Sequence, residues 1–427
     1  MQLFKGNILS YHNDPGDKEL ASSYSYFENG ILAVENGKIV YCGDQENLPF
    51  DASDHELHAY PDQLIIAGFV DTHIHYPQIG MIASYGEQLL EWLDRYAFPA
   101  EMKYSDKAYA KMMAKEFTDE LFRNGTTTAL VFSTVHEQSA EALFEEALSR
   151  KMCLLTGKVL MDRNAPDDLR DTPERAYEES KRLIEKWHGK DRLRYAVTPR
   201  FAITSSPEQL DAAGRLLKEF PDVYLQTHLS ENKNEIAAVA DLFPDSKGYL
   251  DVYDSHGLAG KRSVFAHCVH LTDDEFALMK KRDSAISFCP CSNLFLGSGL
   301  FDIEKATQHG IKMGLGTDVG GGNSFSVLQN LNEAYKVAQL RDQKLNPLRA
   351  FYLATLGGAR ALSLENEIGS LKKGNYADFT ILNPCATPLM KLRMERAESL
   401  TDTLFVLMMM GDDRCVSGTW IGGEKMA

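Results

Sequence analysis

Eight short apolar runs, separated by stretches with helical spacing, constrain the fold of this chain more than any other feature. The runs cover 64–73, 126–134, 152–160, 193–200, 223–229, 263–268, 285–290 and 312–318. One intervening stretch, 105–123, places its apolar residues near the period of about 3.6 residues that is typical of an amphipathic helix. Eight strands alternating with helices over about 250 residues predict a closed parallel (β/α)8 barrel of the TIM type, an α/β fold.

Both ends of the chain lack this alternation and are rich in β-type residues and turns. Residues 31–41 contain two β-rich runs about Asn36-Gly37, a strong hairpin signal. The tail beyond about residue 368 returns to short β runs and turns. Each end is too small to bury a core alone, so we expect the two to pair into a small composite β-sandwich domain. The predicted domains are residues 1–62 plus 368–427 for the sandwich and 63–367 for the barrel.

Charge and apolar content exclude several classes of partner. The formal net charge is -16 at pH 7 and the pI is near 5.3, which argues against nucleic acid or an anionic membrane as a partner. The longest apolar runs fall far short of the roughly 20 residues that a membrane span needs. The first residues lack the apolar run of a signal peptide, and seven scattered cysteines do not resemble a disulfide framework. We therefore expect a cytoplasmic enzyme.

Metal-type side chains stand at the carboxyl ends of four predicted barrel strands, where such barrels build their active sites. His73 and His75 are alternate residues of an extended run, so both can point into the barrel mouth. The fifth run ends near His228, the sixth near His267, and the eighth at Asp318. A set of three of these imidazoles and the carboxylate suits zinc first and iron second. The predicted metal ligands are His73, His75, His228 and Asp318.

Two further side chains are left for proton transfer. Glu231 follows the fifth run by two residues, and His267 ends the sixth. Each residue alone has a structural reading, since a lone histidine is more often buried and satisfied, and Asp318 could cap the following helix. Their coincidence at four strand ends of one barrel favours the metal site. Cys289 and Cys291 could be extra ligands, although buried strand thiols are the commoner case.

At this point the sequence resembles the amidohydrolase superfamily and, within it, the guanine deaminases. The motifs that carry the resemblance are Gly68-Phe-Val-Asp-Thr-His-Ile-His-Tyr-Pro-Gln78, Gln226-Thr-His-Leu-Ser-Glu-Asn232, Ala266-His-Cys268, Ser287-Phe-Cys-Pro-Cys-Ser-Asn293 and Gly314-Leu-Gly-Thr-Asp-Val-Gly-Gly321. The His-x-His and Gly-Thr-Asp parts are typical of the whole superfamily. The segments 85–93 and 96–99, together with Thr198-Pro-Arg-Phe201, favour the narrower group.

The resemblance implies a role for each matched position. It implies one zinc per chain on the four ligands above, with iron as the alternative, and it implies that Asp318, Glu231 and His267 are catalytic. Glu231 would shuttle protons, and His267 would lie beside the attacking water. The residues implied in substrate binding are Gln78, Trp92, Arg200, Phe201 and Glu231. Binuclear relatives use a strand-4 lysine, which is absent here, so Lys158 of strand 3 is expected to pair with a carboxylate.

The resemblance therefore implies zinc-dependent hydrolysis of guanine by water to xanthine and ammonia, in purine catabolism or salvage. We expect a homodimer with no nucleic-acid or membrane partner. One alternative is a related amidohydrolase acting on another heterocycle, such as adenine, cytosine or a triazine. A second is a scaffold on the same fold that has lost its metal. Retention of all six metal-type and acid–base residues speaks against the scaffold.

Overall fold

The computed structural model describes residues 1–86 and 88–427. Glu87, which belongs to the 85–93 motif, lies outside the described residues. The strands are β1 Gln2–Tyr11, β2 Tyr24–Glu35, β3 Lys38–Gly43, β4 Glu56–Ala67, β5 Phe69–His75, β6 Thr126–Phe132, β7 Cys153–Gly157, β8 Val159–Leu160, β9 Leu193–Pro199, β10 Tyr224–Leu229, β11 Ser263–His267, β12 Ala285–Phe288, β13 Lys312–Leu315, β14 Phe379–Leu382, β15 Val416–Ile421 and β16 Glu424–Lys425.

The α-helices are α1 Leu89–Trp92, α2 Phe98–Met102, α3 Lys107–Arg123, α4 Glu137–Ser149, α5 Pro173–Trp187, α6 Pro207–Glu219, α7 Lys233–Leu242, α8 Tyr249–Ser255, α9 Asp273–Arg282, α10 Pro290–Phe295, α11 Ile303–Gln308, α12 Val327–Leu340, α13 Pro347–Tyr352, α14 Gly358–Ala361, α15 Pro388–Met394 and α16 Leu400–Met410. Helix α3 begins two residues after the predicted start because the side chain of Asp106 caps it, accepting from the amides of Ala108 and Tyr109. None of the helices in the described part of the chain is long and apolar enough to cross a membrane.

Eight parallel strands close into the predicted barrel. Their order is β5-β6-β7-β9-β10-β11-β12-β13, and β13 pairs with β5 to complete the ring. The short β8 lies beside the end of β9. Each of the eight predicted runs overlaps one of these barrel strands, so the barrel predicted from the alternation is confirmed.

The first predicted run divides between two sheets. Leu64–Ala67 ends β4 of the terminal sheet, and the barrel strand β5 begins at Phe69 and continues to His75. Gly68 lies between them, at a position where an added Cβ would lie 2.2 Å from the hydroxyl oxygen of Thr127. A residue without a side chain therefore lets the chain pass closely over β6 as it enters the barrel. The apolar run itself carries no sign of this division.

The two chain ends share one seven-stranded sheet, in the order β16-β15-β14-β4-β1-β2-β3. The link between the ends is the antiparallel pair of β4 and β14. The predicted hairpin is present, because Asn36 and Gly37 both have positive φ and join β2 to β3. One face of the sheet carries its own core, in which the rings of Phe4 and Phe379 lie 4.8 Å apart. The domain limits 1–62 plus 368–427 and 63–367 stay a prediction.

Candidate active site

The four predicted metal ligands converge at the mouth of the barrel. Alternation along β5 turns His73 and His75 to the same side, while Ile74 between them packs into the core. His228 lies on β10, and Asp318 follows the end of β13. One ligand atom from each of the four residues lies within 4.8 Å of the others.

Ring nitrogens and a carboxylate oxygen lie close together within this cluster. Nε2 of His75 and Nε2 of His228 are 3.1 Å apart, and Oδ1 of Asp318 lies 3.1 Å from Nε2 of His73 and 3.3 Å from Nε2 of His75. Nδ1 of His228 donates to the carbonyl oxygen of Arg200 at 2.7 Å, which leaves its Nε2 unprotonated in the neutral ring. The four residues could together hold a metal ion, and a set of three imidazoles and one carboxylate fits a divalent metal.

Burial sets the charge states that such a site requires. It lowers the pKa of His75 to about 3, and it lowers the pKa of His73 and His228 as well. Neutral imidazole is the form that binds a metal. Burial alone would raise the pKa of Asp318, but the neighbouring histidines, His73 above all, hold it well below its usual range, so this carboxylate is ionised.

Glu231 and His267 lie beside the ligands. His267 donates from Nδ1 to Oδ1 of Asn293 at 2.9 Å, and its Nε2 lies 3.5 Å from Oε2 of Glu231 and 3.8 Å from Oδ2 of Asp318. The hydroxyl of Ser298 donates to Oε1 of Glu231 at 2.9 Å. Burial, reinforced by the charge of Asp318, raises the pKa of Glu231 to about 8. A protonated carboxyl group and an ionised carboxylate therefore stand side by side at neutral pH.

A partly open cavity borders this cluster. The predicted substrate-binding residues that line it are Gln78, Trp92, Arg200, Phe201 and Glu231. His75, His228 and Asp318 also contribute to its wall, and Nε2 of His267 lies 3.5 Å from Oε2 of Glu231. The structure thus brings every residue of the predicted site to one barrel mouth.

Comparison with known proteins agrees with this geometry. The sequence profile described as the Amidohydrolase family matches residues 64–426. The chain belongs to the amidohydrolase family. It is 53% identical over 408 residues to guanine deaminase of Escherichia coli (strain K12), covering 95% of this chain and 93% of that protein. The resemblance to guanine deaminases found in the motifs is confirmed.

Solved structures extend the similarity to the whole fold. The structure of E. coli guanine deaminase superimposes with a TM-score of 0.96 at 51% identity, covering 100% of this chain and 99% of that one. Guanine deaminase from C. acetobutylicum, solved with guanine bound in its active site, gives a TM-score of 0.91 at 30% identity, with 99% of each chain covered. The barrel fold of this amidohydrolase is therefore shared with those enzymes.

One polar residue of this amidohydrolase site was missed in the sequence. Glu101, on α2, has no exposed surface and accepts from Nη1 of Arg200 through Oε1 at 2.7 Å and Oε2 at 2.8 Å. It also accepts from Nε2 of Gln78 at 3.1 Å. Glu101 lies outside the strand ends and outside every motif. The only signal was a lone acid in the apolar segment Ala97-Phe-Pro-Ala-Glu101.

A second residue without a predicted role supports the metal ligands. Asp71 is buried on β5, and its Oδ1 accepts from the amides of His73 and Thr317, both at 3.1 Å. These bonds tie the first barrel strand to the segment that carries Asp318. Burial raises the pKa of Asp71 to about 6 against these hydrogen bonds. Asp71 stands two residues before His73, so the alternation that identified the His-x-His pair also points to it.

Lys158 takes the role expected of it. Its ammonium group is fully buried and pairs with the carboxylates of Asp171 and Glu179, the second at 2.6 Å. It belongs to the helix-side packing of the barrel and not to the four-ligand cluster.

Cys289 and Cys291 are buried thiols, the commoner reading of these two residues. The sulfur of Cys289 does lie within 4.8 Å of ring nitrogens of His73 and His267. Burial raises the pKa of Cys289 well above its usual value and that of Cys291 to about 12, so both stay protonated. Neither thiol belongs to the cluster of His73, His75, His228 and Asp318.

Proposed function

We propose that this amidohydrolase catalyses the hydrolytic deamination of guanine to xanthine and ammonia. The observation that carries the proposal is the single cavity in which the metal-type cluster and Glu231 share a wall with Arg200, Gln78 and Phe201. The identity to E. coli guanine deaminase, and the guanine held in the active site of the C. acetobutylicum enzyme, support the choice of substrate.

We propose one zinc ion per chain, with iron as the alternative, held by His73, His75, His228 and Asp318. The neutral imidazoles and the ionised carboxylate of this cluster fit that ion. The chemistry available from zinc in such a position is activation of a water molecule, whose pKa falls toward ~7.

The protein side chains would carry the protons. Asp318 is ionised and can accept a proton from the water, and His267 would orient that water through Nε2. Glu231 is protonated at neutral pH and would donate to the ring nitrogen next to the reacting carbon. As the water oxygen bonds to the reacting carbon, the Glu231 carboxylate would take the remaining proton of the new hydroxyl group. Glu231 would pass this proton to the exocyclic amine, whose bond to the carbon breaks as ammonia leaves and the carbonyl forms. The proton held by Asp318 would then restore protonated Glu231. General acid–base transfer of this kind contributes about 10²–10⁴-fold to the rate.

Arg200 would recognise the ring carbonyl of guanine. Its Nη1 is engaged by Glu101, while the hydrogen bonds of the described residues leave Nε and Nη2 available. Guanidinium groups only donate, so they match a carbonyl oxygen and oppose the amine that adenine presents there. Phe201 and Trp92 would pack against the purine, and Gln78 would donate its second amide N–H to the purine edge.

The decisive assay is release of xanthine and ammonia from guanine by the metal-loaded protein, with adenine and cytosine as control substrates. Equal turnover of adenine, or none of guanine, would contradict the proposal. We further propose purine catabolism or salvage in the cytoplasm as its setting and a homodimer as its assembly. Light scattering of the purified protein would test the assembly.

A further inference from the structure

We propose that Glu101 is a positioning residue for substrate recognition, whose carboxylate holds Arg200 and Gln78 in the orientation that reads a ring carbonyl. The identity of the ligand rests on the proposed function, whereas the arrangement itself is visible in the contacts. Glu101 has no exposed surface and receives three hydrogen bonds, two from Arg200 and one from Gln78. It is not among the residues that line the cavity, so it acts through these two neighbours.

The carboxylate determines which way the Gln78 amide points. An ionised carboxylate only accepts, so the NH₂ group of Gln78 must face Glu101. On the other side, the backbone amide of Gly320 donates to Oε1 of Gln78 at 3.1 Å, and an amide N–H only donates. Both neighbours therefore select the same orientation. If the side chain at position 101 could also donate a hydrogen bond, a reversed Gln78 amide would be unfavourable only at its contact with Gly320.

The same carboxylate orients the guanidinium of Arg200. Both of its oxygens bind Nη1, so the remaining donors of the planar group are directed away from α2. The Phe98 ring lies 5.4 Å from the guanidinium carbon and is three residues from Glu101 on the same short helix. Helix α2 thus presents an aromatic ring and an acid to one cation. The backbone carbonyl of Arg200 also accepts from His228, so this residue connects the substrate wall to the metal cluster.

The test compares Glu101→Gln with Glu179→Gln as a matched control. Both replace a buried acid that binds a buried cation, but Glu179 pairs with Lys158 away from the cavity. The probes are hypoxanthine, which has the ring carbonyl but no reactive amine, and purine, which has neither. Their inhibition or dissociation constants report recognition without turnover.

In Glu101→Gln, we expect hypoxanthine binding to weaken by at least about tenfold, the scale of one charge-assisted hydrogen bond. Purine binding should change by less than about threefold, because purine offers no carbonyl to read. Metal content should stay unchanged, and KM for guanine should rise more than kcat falls. Glu179→Gln should lower the melting temperature without altering the ratio of the two binding constants. Glu101→Asp retains the negative charge and should fold even if Glu101→Gln does not. It should also weaken the binding of hypoxanthine more than that of purine.

Several outcomes would overturn the inference. One is that Glu101→Gln weakens the binding of hypoxanthine and purine equally. Another is that Glu179→Gln changes the ratio of the two binding constants as much as Glu101→Gln does. A third is that neither Glu101 variant alters this ratio. A wild-type protein that binds hypoxanthine no more tightly than purine would also refute it. Failure of the proposed function would give a different result. A protein that binds hypoxanthine more tightly than purine but releases no xanthine from guanine would contradict the proposed reaction and leave the positioning role of Glu101 intact.

Discussion

Replacing Arg200 by alanine tests substrate recognition while leaving the metal ligands in place. The side chain is 2% exposed, lines the cavity and is proposed to donate to the ring carbonyl of guanine. Truncating one partner of a buried charged contact costs about 2–5 kcal/mol of binding free energy. At about 1.36 kcal/mol per factor of ten, kcat/KM for guanine should fall by about 30- to 5,000-fold. The metal content should not change, because no ligand side chain is removed.

The same substitution should also lower stability, because it leaves the Glu101 carboxylate buried without its counter-ion. Removing one partner of a buried ion pair costs about 3–5 kcal/mol. An unfolding entropy of about 2.1 cal/mol/K per residue corresponds to about 0.9 kcal/mol/K for 427 residues. The melting temperature should therefore fall by about 3–6 °C.

Steady-state xanthine formation, elemental analysis and calorimetry measure the three quantities on one preparation. Arg200→Lys is the control, since an ammonium group can neutralise Glu101 but cannot reproduce the planar fork of the guanidinium. It should recover most of the melting temperature and only part of kcat/KM. Full guanine activity in Arg200→Ala would refute the recognition argument, and an unaltered melting temperature would refute the buried pair.

Three other substitutions test the remaining assignments. Glu231→Gln should retain the metal while kcat falls by about 10²–10⁴-fold, and loss of the metal would make Glu231 a ligand instead. His228→Ala should lose metal and activity together with the far-UV circular dichroism preserved, so a full metal complement would contradict its role. Burial alone would raise the pKa of Glu179, but the charges of Lys158 and Arg175 outweigh burial and hold this pKa below its ordinary value of 4.5. The stabilisation by this carboxylate is therefore present above that pH and is lost as the pH falls through the folded-state pKa. Glu179→Gln should lower the unfolding free energy at pH 7 by about 1.5–3 kcal/mol, and urea titrations should show the gap to wild type shrinking, not growing, below about pH 4.5.

The metal-type part of the site was predictable because its information is local. His73 and His75 are two residues apart on one strand, and a parallel barrel brings the carboxyl ends of all its strands to one face. His228, His267 and Asp318 then need only be assigned to strand ends. The expectation that Lys158 pairs with a carboxylate came instead from the family resemblance, and the structure shows it paired with Asp171 and Glu179.

The role of Glu101 could not be predicted in this way. Its partners are 23 and 99 residues distant in the chain, and no period of strand or helix relates them. The role of Arg200 was predicted from the family resemblance, but its ion pair depends on how α2 packs against the Arg200 side chain. The division of the first run at Gly68 was missed for a related reason, since a close approach to Thr127 leaves no trace in an apolar pattern.

The backbone conformation at the ends of three barrel strands orients the side chains of the site. Ser230, His267 and Asp318 all have φ between 50° and 69°, in the left-handed region that costs a non-glycine residue about 1–2 kcal/mol. Neighbouring segments hold them there, because the amide of Asp318 donates to the carbonyl of His73 at 2.8 Å and that of His270 donates to the carbonyl of Ser230 at 3.1 Å. Such strain persists only where the surroundings over-determine it. At these three positions the left-handed conformation turns the backbone from the barrel wall into the mouth. Burial at the mouth keeps the imidazoles neutral, as metal binding requires, and keeps Glu231 protonated, as proton donation requires.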